Sequence, residues 1–177
     1  LVVVGSYVAK STEQLAALQR ECAWLAPVEL DVAALAAGED SGEAERAQGA
    51  VLAALARGES AVLFSSRKVL QEDGVSGLRI GARVNDALCG IVEAALTSGA
   101  PPSFLVAKGG ITSNDVAVRA LAVRRAEVLG AVVPGVPAWR CGAETRAPGL
   151  AYVVFPGNVG AVDDLARVAR KMSGREA

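Results

Sequence analysis

SFLVAKGGITSNDVAVR, residues Ser103–Arg119, decides the fold. Phe104, Leu105, Val106 and Ala107 form an unbroken apolar run, the pattern of a strand buried on both faces. Gly109-Gly110 ends it, and a helical sequence follows. The T-x-x-D spacing of Thr112 and Asp115 predicts a capping box, with Thr112 as first cap of a helix reaching about Leu121. A strand that turns through glycines into a helix start leaves backbone N–H groups pointing outward, where the helix dipole favours an anion. Gly109, Gly110, Ile111 and Thr112 are therefore candidates to hold the phosphates of a nucleotide. Lys108, at the strand end, is a possible phosphate helper. The competing reading is a tight turn with an ordinary cap. Asp115 serves its own helix on this reading, with contact to Mg²⁺ as the alternative.

The same unit recurs on either side. Leu1–Val4 reads as a strand running into Gly5-Ser6. Ser11 to Gln14 reads as an S-x-x-Q capping box, opening a helix with a stripe at Leu15, Leu18, Cys22 and Leu25 that Pro27 ends. Tyr152–Phe155 reads as a strand running into Pro156-Gly157-Asn158-Val159-Gly160. A last helix follows, with Val162, Leu165, Ala169 and Met172 on one face. Between these lie strands at Val28–Val32 and Ala61–Phe64, a loop or ragged helix at Ala33–Glu43, a helix at Glu43–Arg57, an exposed loop at Val69–Gly77, and a long helix at Leu78–Thr97. Val128–Val133 and Ala138–Arg140 read as two shorter strands, and Cys141–Gly149 as a polar loop.

Strands alternating with helices predict an α/β fold. Its sheet is mainly parallel with helices on both faces, and its ligand cleft lies at the carboxyl ends of the strands. With 177 residues the chain suits a single domain spanning 1–177. Aromatics are only 4% against 52% hydrophobic residues, so the core is built from Ala, Val, Leu and Ile.

Composition also excludes chemistry. A net charge of −1 gives no broad basic field for nucleic acid. Histidine is absent, which removes Ser-His-Asp and Cys-His catalysis and any histidine metal site. No metal site is expected from the three scattered cysteines, which read as packed free thiols in a reducing, cytoplasmic setting. No apolar run is long enough to span a membrane.

The local motifs narrow the binding mode. GSYVAKST, Gly5–Thr12, is not a P-loop: it lacks the second Gly, and Lys10 stands five positions after Gly5 instead of six. No G-x-G-x-x-G occurs. Ser6 remains able to bind phosphate through its hydroxyl or N–H, the alternative being a plain turn. Gly157, Asn158, Val159 and Gly160 repeat the device at the last strand, where Asp163 and Asp164 make adenine or ribose a more comfortable neighbour than bare phosphate. Arg67 and Lys68 read as solvated charge, with phosphate neutralisation as the alternative. Trp139 reads as core, with stacking on a base as the alternative.

AKGGITSNDVA and YVVFPGNVG, in that order and with Gly5-Ser6 before them, resemble the C-terminal, nucleotide-binding domain of the four-carbon acid sugar kinases. The resemblance spans nearly the whole chain. It implies the ATP-binding part of a two-domain enzyme that phosphorylates a 3-oxo-tetronate, threonate or erythronate type of acid on a hydroxyl. The acid would sit on an N-terminal domain outside this chain, and Mg²⁺ would accompany ATP. The ATP contacts it implies fall on Ser6, Gly109, Gly110, Ile111, Thr112, Gly157, Asn158, Val159 and Gly160. It assigns no catalytic residue here, and the isolated domain is expected to bind nucleotide without turnover. Some kinases of the family read GGET where this chain has GGIT, so Ile111 supplies no carboxylate. The reading from residues alone keeps a non-catalytic module, binding a nucleotide or phosphorylated metabolite, as the alternative.

Overall fold

The computed structural model describes residues 1–37, 41–67 and 75–175. Lys68 and residues 69–74 of the expected loop lie outside them. Elements follow in the order β1 (Val2–Val4), α1 (Ala9–Glu21), β2 (Leu25–Leu30), α2 (Val32–Ala37), α3 (Glu43–Ala56), β3 (Ser60–Ser65) and α4 (Val75–Leu96). Then come β4 (Phe104–Lys108), α5 (Gly110–Asp115), a π-helical turn (Val116–Ala120), β5 (Ala126–Val133), β6 (Val136–Cys141), β7 (Ala151–Phe155) and α6 (Asp164–Met172).

One seven-stranded sheet has the order β2-β3-β1-β4-β7-β6-β5. The first five strands in that order run parallel, and the β5–β6 hairpin adds two antiparallel strands at one edge. The apolar runs of β1, β3 and β4 explain their central places: β1 and β4 are buried throughout and β3 from Ala61 onward. One face packs α1 and α6 on β1, β4 and β7 through Leu15, Leu18, Val106, Phe155 and Leu165. The opposite face packs α3, α4 and the π-helical turn through Val51, Ile91, Val92, Ala107 and Leu121. The three cysteines are free and buried, and burial raises the Cys89 thiol to about 11.

Several sequence expectations need correcting. Pro27 does not end α1; it lies inside β2, which is an edge strand where a missing N–H costs no ladder bond. The helix starts at Ala9, so Ser11 is not a cap: it is buried in the first turn. Thr112 is not a cap either, since α5 begins at Gly110 with Gly109 in the capping place. Within Ala33–Glu43, expected as loop or ragged helix, the first residues are helical in α2, where Asp31 Oδ1 accepts from the N–H groups of Ala33 at 2.8 Å and Ala34 at 3.3 Å. Residues 75–77, expected in a loop, start α4.

Candidate functional site

Three parallel strands end level with one another. Val4 pairs with Lys108 across β1 and β4, and Lys108 pairs with Phe155 across β4 and β7. The turns that follow, Gly5–Val8, Gly109 and Pro156–Asp163, therefore stand side by side on the carboxyl edge. From β1 the chain turns onto the face of α1, and from β4 onto the opposite face, so a crevice opens between them.

The turns meet at Ser6. Gly109 has φ +119°, and a Cβ there would lie 2.9 Å from Ser6 Cβ. A Cβ on Gly157 would lie 3.6 Å from Ser6 Oγ. Any side chain on Gly5 would collide with Thr112 Oγ1, which is why Thr112 can be buried there. Ser11 adds the polar link, donating to Ser6 Oγ at 3.0 Å and to the Gly157 carbonyl at 3.3 Å.

Donors hold the last turn from behind. Lys108 Nζ donates to the carbonyls of Pro156 at 2.6 Å and Gly157 at 3.0 Å. Gln14 Nε2 donates to Val159 at 3.0 Å and Ala161 at 2.8 Å, and Lys10 Nζ to Gly160 at 3.2 Å. With these carbonyls engaged, the N–H groups of Gly157, Asn158, Val159 and Gly160 donate to no protein acceptor among the described residues. The same holds for Gly110, Ile111 and Thr112, the first residues of α5. Gly109 differs, because its own N–H donates to the Phe155 carbonyl at 2.9 Å. Its part is to shape the turn.

The electrostatics favour an anion. Lys108 is fully buried, with Nζ 4.3 Å from the centre of the Phe155 ring. Desolvation, with the nearby charge of Lys10 second, lowers its pKa to about 8. Arg67 is half-buried and not simply solvated. Its guanidinium donates to the carbonyls of Ser6 at 2.6 Å, Val4 at 3.2 Å and Ser65 at 3.0 Å, and burial lowers its pKa. Asp115 accepts from Asn85 and pairs with Arg119 at 3.8 Å, while Asp164 Oδ2 accepts from the Ala161 N–H at 2.7 Å. Among the described residues no group of three His, Cys, Asp or Glu is placed to hold a metal.

All of the sequence-selected positions thus stand on one edge. Gly110 and Ile111 are exposed, Ile111 to 76%, and a Cβ on Gly110 would meet nothing within 4 Å. Lys10, Ser11, Gln14 and Arg67 escaped the sequence reading as holders of these turns. The signal for two of them was present: Ser11 and Gln14 fall on the same helical face as Leu15 and Leu18.

The family model described as a nucleotide-binding C-terminal domain matches residues 1–165. No curated protein matches the chain. Several solved structures share the fold, and two of them illustrate it. One is a Bordetella bronchiseptica protein described as a domain of unknown function with bound citrate, a domain-swapped dimer. It is 25% identical with TM-score 0.77, over 100% of this chain and 42% of that one. The other is a Haemophilus influenzae protein, 18% identical with TM-score 0.72, over 97% of this chain and 40% of that one. The chain therefore spans less than half the length of either. It belongs to the family of nucleotide-binding C-terminal domains.

Proposed function

We propose that this nucleotide-binding C-terminal domain is the ATP-binding part of a kinase that phosphorylates a four-carbon sugar acid on a hydroxyl. The observation that carries the reading is the set of aligned turns: the N–H groups of Gly110–Thr112 and Gly157–Gly160 have no acceptor among the described residues, and the carbonyls of the last turn are tied back. Gly110, Ile111 and Thr112 would hold phosphate oxygens through N–H groups, with Ser6 beside them. Gly157, Asn158, Val159 and Gly160 would take the other wall of the nucleotide site. Lys108, placed behind the last turn, would act through that turn and through its charge. Lys10, exposed at the rim and donating to the Gly160 carbonyl, would add its charge beside the phosphates. Phosphoryl transfer rests mainly on positioning and charge stabilisation, and this edge supplies both for the donor. Mg²⁺ would enter on the phosphates of ATP. The acid, of 3-oxo-tetronate, threonate or erythronate type, would be held by an N-terminal domain.

Calorimetry with ATP-Mg²⁺, ADP and sugar phosphates tests this. Selectivity for adenine nucleotides, without turnover by the 177 residues alone, is the expected result. Full kinase activity from the chain alone would overturn the division of labour. The second reading is a non-catalytic module sensing a phosphorylated metabolite. It is favoured by the engagement of Asp115 and Asp164 with their own neighbours, which leaves neither as a ready base. Indifference to the base would support it.

A further inference from the structure

Beside these turns runs a groove of about 350 Å³ lined by Trp139, for which the sequence left core packing and base stacking open. Its sheet side is Trp139 of β6 and Val154 of β7, and its helix side is Ala117, Val118 and Val123. Gly110 and Pro156 close one end, so the groove continues directly from two of the three turns. Its volume lies within the range of roughly 300–1,000 Å³ usual for small-molecule sites. Val118 is 57% exposed, an apolar side chain left uncovered at the groove. Trp139 is half-buried and held edge-on to Tyr152, with ring centres 6.0 Å apart. No acceptor for its indole N–H occurs among the described residues. The exposed amide of Asn114 also borders the groove.

We infer that this groove is the nucleobase subsite: a purine base lies along Trp139 between Val118 and Val154, within reach of the Asn114 amide. A flat heteroaromatic ring matches an apolar slot with a fixed aromatic and few polar groups. A second hollow, about 260 Å³ between Arg125–Glu127 and Arg140–Glu144, lies at the opposite edge of the sheet and has no such continuity. The inference rests on the nucleotide-binding reading above. It adds a polarity: the base lies beyond β7, and the phosphates run back over Gly110 toward Ser6.

The test uses Trp139 as its own reporter. Trp24→Phe removes the only other tryptophan, and adenosine, ATP-Mg²⁺ and tripolyphosphate are titrated in turn. Adenosine and ATP should change Trp139 fluorescence, and tripolyphosphate should not. Trp139→Ala should weaken adenosine and ATP by about tenfold or more, as loss of a base–aromatic stack does, and leave tripolyphosphate unchanged. Val118→Glu, at an exposed position, should act the same way and guards against misfolding of the Trp139 variant. ATP binding by calorimetry, with both variants unaffected and Trp139 silent, would overturn the base subsite alone. Failure of ATP and tripolyphosphate to bind at all would overturn the nucleotide reading with it.

Discussion

Lys108 and Gly157 stand on adjacent strand ends, and the Lys108 ammonium donates to the Gly157 carbonyl at 3.0 Å. A buried cation thereby fixes which way a glycine turn faces. Lys108→Met removes that hold together with the bond to Pro156. Loss of charged hydrogen bonds is offset by loss of the desolvation cost, so thermal stability at neutral pH should change little. Nucleotide affinity should fall about tenfold or more, because the freed turn must be ordered on binding. Calorimetry alongside thermal unfolding separates the two effects.

The Lys108 ammonium also predicts an alkaline signature. Its folded pKa is lowered to about 8 from an ordinary 10.5. Between those values the unfolded chain binds more protons than the folded one, so stability from this group rises as pH goes from 8 to 10.5. The slope is at most roughly 1.4 kcal/mol per pH unit. Below pH 8 both states are protonated and this contribution is flat. Denaturant titrations across pH 7–10.5 should show the wild type gaining on Lys108→Met above pH 8, against a loss common to both proteins from the buried Cys89 thiol, which burial raises to about 11.

Two adjacent glycines should behave in opposite ways. Gly110 has open space at its Cβ position, so Gly110→Val should fold normally yet fill the space where phosphate is proposed to lie, abolishing nucleotide binding. Gly109, at φ +119° and against Ser6, should not tolerate a side chain. Gly109→Ala should destabilise the fold by about 2–4 kcal/mol through backbone strain and overpacking. Denaturant midpoints and ATP calorimetry on the pair check both halves. Gly110→Val with unchanged affinity would count against the turn as a phosphate site.

The sequence carried the frame and lost the fastenings, for definite reasons. β1, β4 and β7 were legible because buried parallel strands are continuous apolar runs, and the glycines after them mark the turns. The caps at Ser11 and Thr112 were misread because the motif gives a spacing and not a register. Both hydroxyl residues sit inside a first turn, held by tertiary partners. The Gln14 contacts join residues 145 and 147 positions apart to backbone carbonyls, which carry no residue identity. The Trp139 groove arises from the register of Trp139 with Tyr152 and from the path of the π-helical turn. Neither has a local pattern.

Gly5 and Thr112 give a prediction with an internal control. Gly5→Ala would drive its methyl into Thr112 Oγ1, in a region where both residues are held by strand and helix. A cost of about 2–4 kcal/mol is expected. Thr112→Ala removes the obstructing atoms and should cost about 1 kcal/mol alone. The double variant should recover a good part of the Gly5→Ala loss, and the coupling in a double-mutant cycle should exceed about 1 kcal/mol. Additive losses would show that the two turns are not in contact as described.

Finally, nucleotide binding should take up protons at mildly alkaline pH. At pH 8 the Lys108 ammonium is about half ionised, held down by burial and by the charge of Lys10. An anion bound at the adjacent turns favours the charged form and raises that pKa. Complex formation therefore draws a fraction of a proton from the buffer near pH 8–9, and little at pH 6.5, where the amine is already charged. ATP titrations in buffers of different ionisation enthalpy measure the uptake directly. Lys108→Met should abolish it, whereas Arg20→Ala, on the exposed far end of α1, should leave it intact. Equal uptake in Lys108→Met would assign the proton to another group and remove Lys108 from the electrostatics of the site.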